Sequence, residues 1–201
     1  GARNVDPSKP ITVKTSGKLK SVTMTNEVGV EVKEKLSKDA KTWSTAEDLG
    51  YNHTYSIVAS DVDGNKKKLS FSTPQAAGVA EVSLTPIPDS EVGVGQVIGV
   101  NFGVPITDRK AAEKTITVTT NPEVKGAFYW VNNQEVRWRP KEYWEPGTKV
   151  EVKVDQYGKD LGGGIYGGEN AKTNFTIGDR TVAIIDNATK TMKVFKLSLI
   201  H

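Results

Sequence analysis

Lys149-Val150-Glu151-Val152-Lys153-Val154 sets a charge against a valine at every step, and that alternation decides the fold. Successive side chains of a strand point to opposite faces, so the three valines line one face and the charges the other. On a helix the same valines would be scattered round the axis and bury nothing together. The period of two recurs on both sides of this stretch. It sets Ile116 and Val118 inward in TITVT, Val136 and Trp138 in EVRWR, Tyr55, Ile57 and Ala59 in TYSIVAS, and Leu69 and Phe71 in KLSFS. Short strands at short intervals are the pattern of a sandwich or barrel. The fold class is therefore all-β, a sandwich or a barrel.

Turn residues separate the strands. Asp63-Gly64-Asn65 suits a tight hairpin that needs positive φ, and Glu145-Pro146-Gly147-Thr148 predicts a turn before the valine strand. One segment reads as helix, Asp108 to Lys114, with Thr107 or Asp108 capping a short connector. The alternation lapses over Pro74-Gln75-Ala76-Ala77-Gly78 and restarts at Val82 and Leu84. Residues 4–74 and 79–178 are expected to be two separate β-modules. Residues 179–201 form a third piece, in which Val182 to Asp186 and Thr191 to Phe195 read as strands joined by Asn187-Ala188-Thr189-Lys190. A lone hairpin is marginal in water. It is expected to dock on the second module or to open a further domain.

Composition removes several classes of function. Among 201 residues, 36% are hydrophobic, too many for a disordered chain, and no run of apolar residues is long enough to span a bilayer. A membrane is expected only through an anchor outside the chain, and the start at Gly1 leaves room for an export signal upstream. The 27 Lys and Arg against 24 Asp and Glu are interspersed. No nucleic acid is expected as a partner, since phosphate tracking needs a basic stripe with aromatic platforms. The absence of Cys excludes disulfides, thiolate metal sites and a Cys nucleophile together.

Candidate chemistry is sparse. Asp61-Val62-Asp63-Gly64-Asn65 has the carboxylate alternation of a calcium loop without its downstream bidentate Glu, so a hairpin turn is the better reading. Gly162-Gly163-Gly164 with Gly167-Gly168 has no Gly-Lys-Ser/Thr after it and reads as loop. A Ser-His-Asp triad would have to use His53 in the turn-like Tyr51-Asn52-His53-Thr54, the other histidine being the terminal His201. No cofactor and no metal site are expected. The densest cluster is Trp138 to Thr148, with Phe128, Tyr129 and Trp130 upstream. Two readings of it stand side by side: Trp138 fills the inter-sheet core while Tyr143 and Trp144 close a corner, or the aromatics form a platform for docking or carbohydrate.

These residues also carry a resemblance. VPITDRKAAEKTITV from Val104, WRPKEYWEPGTKVEV from Trp138, YGKDLGGGIYG from Tyr157 and NFTIGDR from Asn174 resemble the immunoglobulin-like module that precedes the catalytic domain of mycobacterial and related actinobacterial L,D-transpeptidases. VTMTNEVG from Val22, DAKTWST from Asp39 and LGYNHTYS from Leu49 are similar to their outer module, and VAIIDNATKTMKVFK from Val182 to the first hairpin of the catalytic domain. The resemblance implies a parent acyltransferase whose Cys thiolate, helped by a His, attacks a peptidoglycan stem peptide. It also implies residence in the cell envelope, with a possible lipid anchor in the whole protein. The Ser-His-Gly-Cys signature is absent from this chain, and the expected Asp-Gly turn does not follow the second strand at Leu197 to His201. The chain as given is expected to be a non-enzyme: a trimmed chain, a fragment of an interrupted reading frame or a natural non-catalytic relative. Its expected role is a monomeric spacer, whose partners are the catalytic domain of the parent enzyme and peptidoglycan. Tyr143, Trp144, Tyr157 and Tyr166 are the candidate docking residues, and a stand-alone wall-binding or adhesion module is the alternative.

Overall fold

A computed structural model describes residues 1–197, and these divide into two compact units at Gly78/Val79. In the first unit, β2 (Leu19–Asn26), β5 (Thr54–Asp61) and β6 (Lys66–Ser72) form one antiparallel sheet in the order β2-β5-β6. The second sheet comprises β1 (Thr12–Lys14), β3 (Glu34–Leu36) and β4 (Thr42–Thr45), in the order β1-β4-β3. The alternation puts Val22, Met24, Tyr55, Ile57 and Phe71 on one buried face, and Trp43 from the other sheet fills the space, 1% exposed. Its indole Nε1 donates to Glu34 Oε2 at 2.6 Å, so the one polar atom of the ring is satisfied. Leu69 departs from the alternation reading: Phe71 is buried, but Leu69 is 52% exposed. The reason is position, because β6 is the edge of its sheet and Leu69 sits nearer the open hairpin end of that strand.

That hairpin uses its carboxylates internally. Asp61 Oδ1 accepts from the backbone N–H of Asp63 and Asn65, Oδ2 accepts from the Asn65 side chain, and Gly64 holds φ at +89°. The carboxylate is thus committed to the turn. At the other pole, Asn52 brackets the segment leaving β6: its N–H donates to Pro74 O, its Nδ2 to Ala76 O, and Ala76 N–H returns a bond to Oδ1.

His53, the one described histidine, pairs its Nδ1 with Glu27 Oε1 at 2.7 Å, and Glu27 Oε2 accepts from Thr54 N–H. Among the described residues no hydroxyl hydrogen-bonds to the His53 ring. The His53 hydrogen bond, followed by the backbone N–H groups of Glu27 and Thr54, lowers the Glu27 carboxyl from its ordinary 4.5 to about 2. A depressed carboxyl stabilises the fold above its unfolded value, and the contribution disappears as pH falls through the folded one. The first unit should therefore lose stability between pH 4.5 and about 2. Glu27→Gln should flatten that part of a plot of urea midpoint against pH; an unaltered slope would deny Glu27 the effect.

The second unit is larger. One sheet is ordered β12-β13-β10-β8, from β8 (Ser83–Thr85), β10 (Ile98–Asn101), β12 (Gly126–Trp130) and β13 (Glu135–Pro140). The other is ordered β11-β14-β16-β9, from β9 (Ser90–Val92), β11 (Ile116–Asn121), β14 (Lys149–Val154) and β16 (Ala171–Ile177), with β9 parallel to β16. Val150, Val152 and Val154 are all buried, and meet Ile98, Val100, Val136 and Trp138 of the opposite sheet in one core. A short ladder joins β7 (Gly78–Ala80) to β15 (Ile165–Gly167). The helix α1 is Arg109–Lys114, and Asp108 caps it by accepting from Ala111 N–H. It is tied to β12 from both ends, since Trp130 Nε1 donates to Glu113 and the Arg109 guanidinium lies 5.0 Å above the Trp130 ring.

After Gly178 the chain forms a separate two-stranded ladder, β17 (Arg180–Asp186) and β18 (Thr191–Leu197). Its turn is held by Asp186 Oδ1, which accepts from Ala188 and Thr189 N–H. Ile185, Met192 and Val194 share one face and Ile184 and Phe195 the other, and each is between 46% and 75% exposed. The hairpin therefore does not bury these faces on the sandwich. Met192 is 64% exposed, in contrast to the 1% of Met24. The expected ending at Leu197 to His201 lies outside the described residues except for the strand position of Leu197.

Candidate functional site

The corner between β13 and β14 is built from its turn residues upward. Gly147, with φ at +81°, donates its N–H to Ile177 O, and Thr148 donates both its N–H and its hydroxyl to Glu145 O. This locks the corner against the end of β16, beside Gly178, where the chain leaves the sandwich. Trp144 N–H donates to Val94 O and its indole Nε1 to Gln96 O at 2.6 Å, while the ring packs against Trp138 and edge-on to Phe175. Trp144 is only 2% exposed. Its placing among surface docking residues is corrected: with its N–H satisfied inside, the ring fastens the corner and presents no face to a partner. Its neighbour Tyr143 is turned out, 72% exposed, with its ring over Gly95.

Tyr157 and Tyr166 lie elsewhere. Tyr157 follows the far end of β14 and bridges to Gly167, and Tyr166 lies in β15, beside β7, where the chain enters the second unit. Since β14 runs from Lys149 beside the corner to Val154, about 17 Å separates the two poles. The four candidates thus do not share one face. Both tyrosines are half-buried, and burial together with Asp160 raises the Tyr166 phenol. Gln156, just before Tyr157, is fully buried, its Nε2 donating to Ala80 O and Glu169 O. Gly162, Gly163 and Gly164 all hold positive φ and turn the chain back into β15, which agrees with the loop reading.

Sequence reasoning missed a groove of about 600 Å³ between α1 and the β14–β15 connection, where Lys110, Lys114 and Lys159 interleave with Asp108, Asp155 and Asp160. They come from two stretches more than forty residues apart, and neither stretch by itself shows that they face one another. Among the described residues no group of three or more His, Asp or Glu converges as a metal site. No described helix is long and apolar enough to cross a membrane.

Two-layer, mostly antiparallel sandwiches closing on a Trp-centred core define an immunoglobulin-like β-protein. The chain belongs to the bacterial Ig domain family, whose model matches residues 2–160. It is 44% identical over 198 residues to L,D-transpeptidase 2 of Mycobacterium tuberculosis, covering 96% of this chain and 48% of that protein. It is 33% identical over 190 residues to L,D-transpeptidase 5 of the same species, covering 90% of this chain and 42% of the relative. The chain spans about half the length of the curated relatives it matches. A solved complex of Dpr2 Ig1-Ig2 with DIP-Theta Ig1-Ig3 superimposes with a TM-score of 0.51 at 11% identity, over 88% of this chain and 92% of that one, and so shares the fold.

Proposed function

We propose that the two sandwiches are the non-catalytic spacer and docking region of a peptidoglycan cross-linking L,D-transpeptidase, and that they position a Cys-dependent catalytic domain in the cell wall. The observation that carries this reading is how the similarity is distributed. It runs along 96% of a chain that has no Cys, yet accounts for 48% of the transpeptidase it matches. Acyl transfer through a thiolate needs a group these residues do not have. The order of the pieces supports the role as well, because Tyr143 and the locked corner stand at the pole from which the chain runs into β17 and β18. The hairpin's two exposed apolar faces fit a ribbon that other strands cover on both sides. Docking then falls to Tyr143 and the residues around the exit, while Tyr157 and Tyr166 serve the opposite pole. Residence is in the cell envelope, and the region acts as a monomer.

The test joins this chain to the Cys-bearing C-terminal half of a relative and reads carbapenem acylation by intact mass. The joined protein should gain one adduct and the chain alone none; an adduct on the chain alone would overturn the non-catalytic reading. Tyr143→Ala in the joined protein should lower the thermal midpoint of the catalytic half. If that midpoint equals that of the catalytic half by itself, with or without Tyr143, docking is discarded and the spacer role remains.

A further inference from the structure

We propose that the outer face of the sheet β12-β13-β10-β8 is a binding track for a linear polysaccharide whose sugars carry carboxylates. The inference stands on this face alone and does not depend on the transpeptidase reading. Three concavities of about 280, 410 and 550 Å³ lie on it and meet at Val97, which lines all of them. The register sets Thr85, Gly99, Arg137 and Tyr129 side by side across the four strands, so the middle of the sheet carries a row with no side chain at its second position.

Gly99 is the telling residue. A glycine inside a strand weakens it and marks a bulge, a bend or a place where a ligand or another backbone approaches closely, and the register at Gly99 is unbroken on both sides. The fold does not require one here: its φ is not positive, and a Cβ would meet Thr85 Cβ at 3.6 Å, an ordinary contact, with Glu135 Oε1 4.0 Å away. A side chain would instead fill the floor of the trough. Glycine at this point keeps open a channel that packing leaves free to close.

The walls specify the occupant. Tyr129, 39% exposed, offers a flat apolar face with a polar tip, the form that stacks on a sugar ring. Arg137 is held by Glu135 at 2.7 Å, and that pair presents hydrogen-bonding edges with little net charge. Arg139 and Lys141 are exposed and make no side-chain hydrogen bond or ion pair among the described residues; Arg139 lines two of the concavities. Two uncommitted cations on the face that carries Tyr129 match a carboxylate borne on a saccharide. A neutral glycan would leave them unused, and an extended acidic peptide would leave the aromatic face unused.

The experiment uses the whole chain and three probes of equal length: N-acetylglucosamine–N-acetylmuramic acid strands stripped of peptide, the uncharged N-acetylglucosamine oligomer, and polyglutamate. Amide shifts should follow β8, β10, β12 and β13 with the carboxylated strand, and the other two probes should bind at least about tenfold more weakly, the worth of one lost charge-assisted hydrogen bond. Arg139→Ala should weaken the carboxylated strand by about the same factor. Gly99→Val should abolish binding with a thermal midpoint equal to or above that of the parent, a combination that a structural role would not give. Absence of binding, equal binding of either control probe, or Gly99→Val binding like the parent would each overturn the proposal.

Discussion

Trp144→Ala is expected to destabilise the second sandwich by about 3–5 kcal/mol, the range for deleting a large buried aromatic. Three losses combine. The ring leaves a cavity beside Trp138 and Phe175, the bond from Nε1 to Gln96 O is removed, and the carbonyl of the half-buried Gln96 loses that donor. The backbone bonds of the corner, from Trp144 N–H to Val94 O and from Gly147 N–H to Ile177 O, survive the substitution, so the loss is that of the indole alone. For a domain holding 5–15 kcal/mol in total, a loss of this size is a large share. Urea unfolding in a Trp43→Phe background, where Trp130 and Trp138 of the second unit are the tryptophans left to fluoresce, measures it. A midpoint within experimental scatter of the parent would mean that the indole is not part of the core.

Trp43→Ala should have an equal effect on the first sandwich and leave the second untouched. Trp43 is the largest of the side chains buried below 2% and the only tryptophan before residue 130. Its removal is expected to cost about 3–5 kcal/mol. Its partner Glu34 lies on an exposed strand and regains water, so no buried charge adds to the loss. The two cores share no residue, and distant sites with no common partner act additively within a few tenths of a kcal/mol. In this variant the remaining tryptophans report the second unit alone. Their unfolding curve should superimpose on the parent's, while circular dichroism shows an earlier transition for the first unit. A shift of the tryptophan curve would contradict two independently stabilised units.

The strand pattern was legible where both neighbours of a strand exist. Val150, Val152 and Val154 lie in the central strand β14, and Val136 and Trp138 in the central β13; all five are buried, as their alternation implies. Leu69 shows the limit of that reading, because alternation names a face but not whether anything covers its end. The helix and its cap were readable because a side chain and its backbone partner lie three residues apart. Trp144 was harder. An exposed platform and a buried corner have the same composition, and only the bonds to Val94 and Gln96, more than forty residues upstream, distinguish them. Gly99 was not readable at all, since its significance lies in what stands beside it on three other strands.

The two methionines occupy opposite environments, and this fixes how oxidants act on the chain. Peroxide finds no thiol to attack. Met24, sealed between the sheets of the first unit, is shielded, whereas Met192 on the open ribbon is in reach. Sulfoxidation turns a flexible apolar side chain into a polar one. Such damage falls on the ribbon after Gly178, and both sandwiches keep their interiors intact in an oxidising milieu.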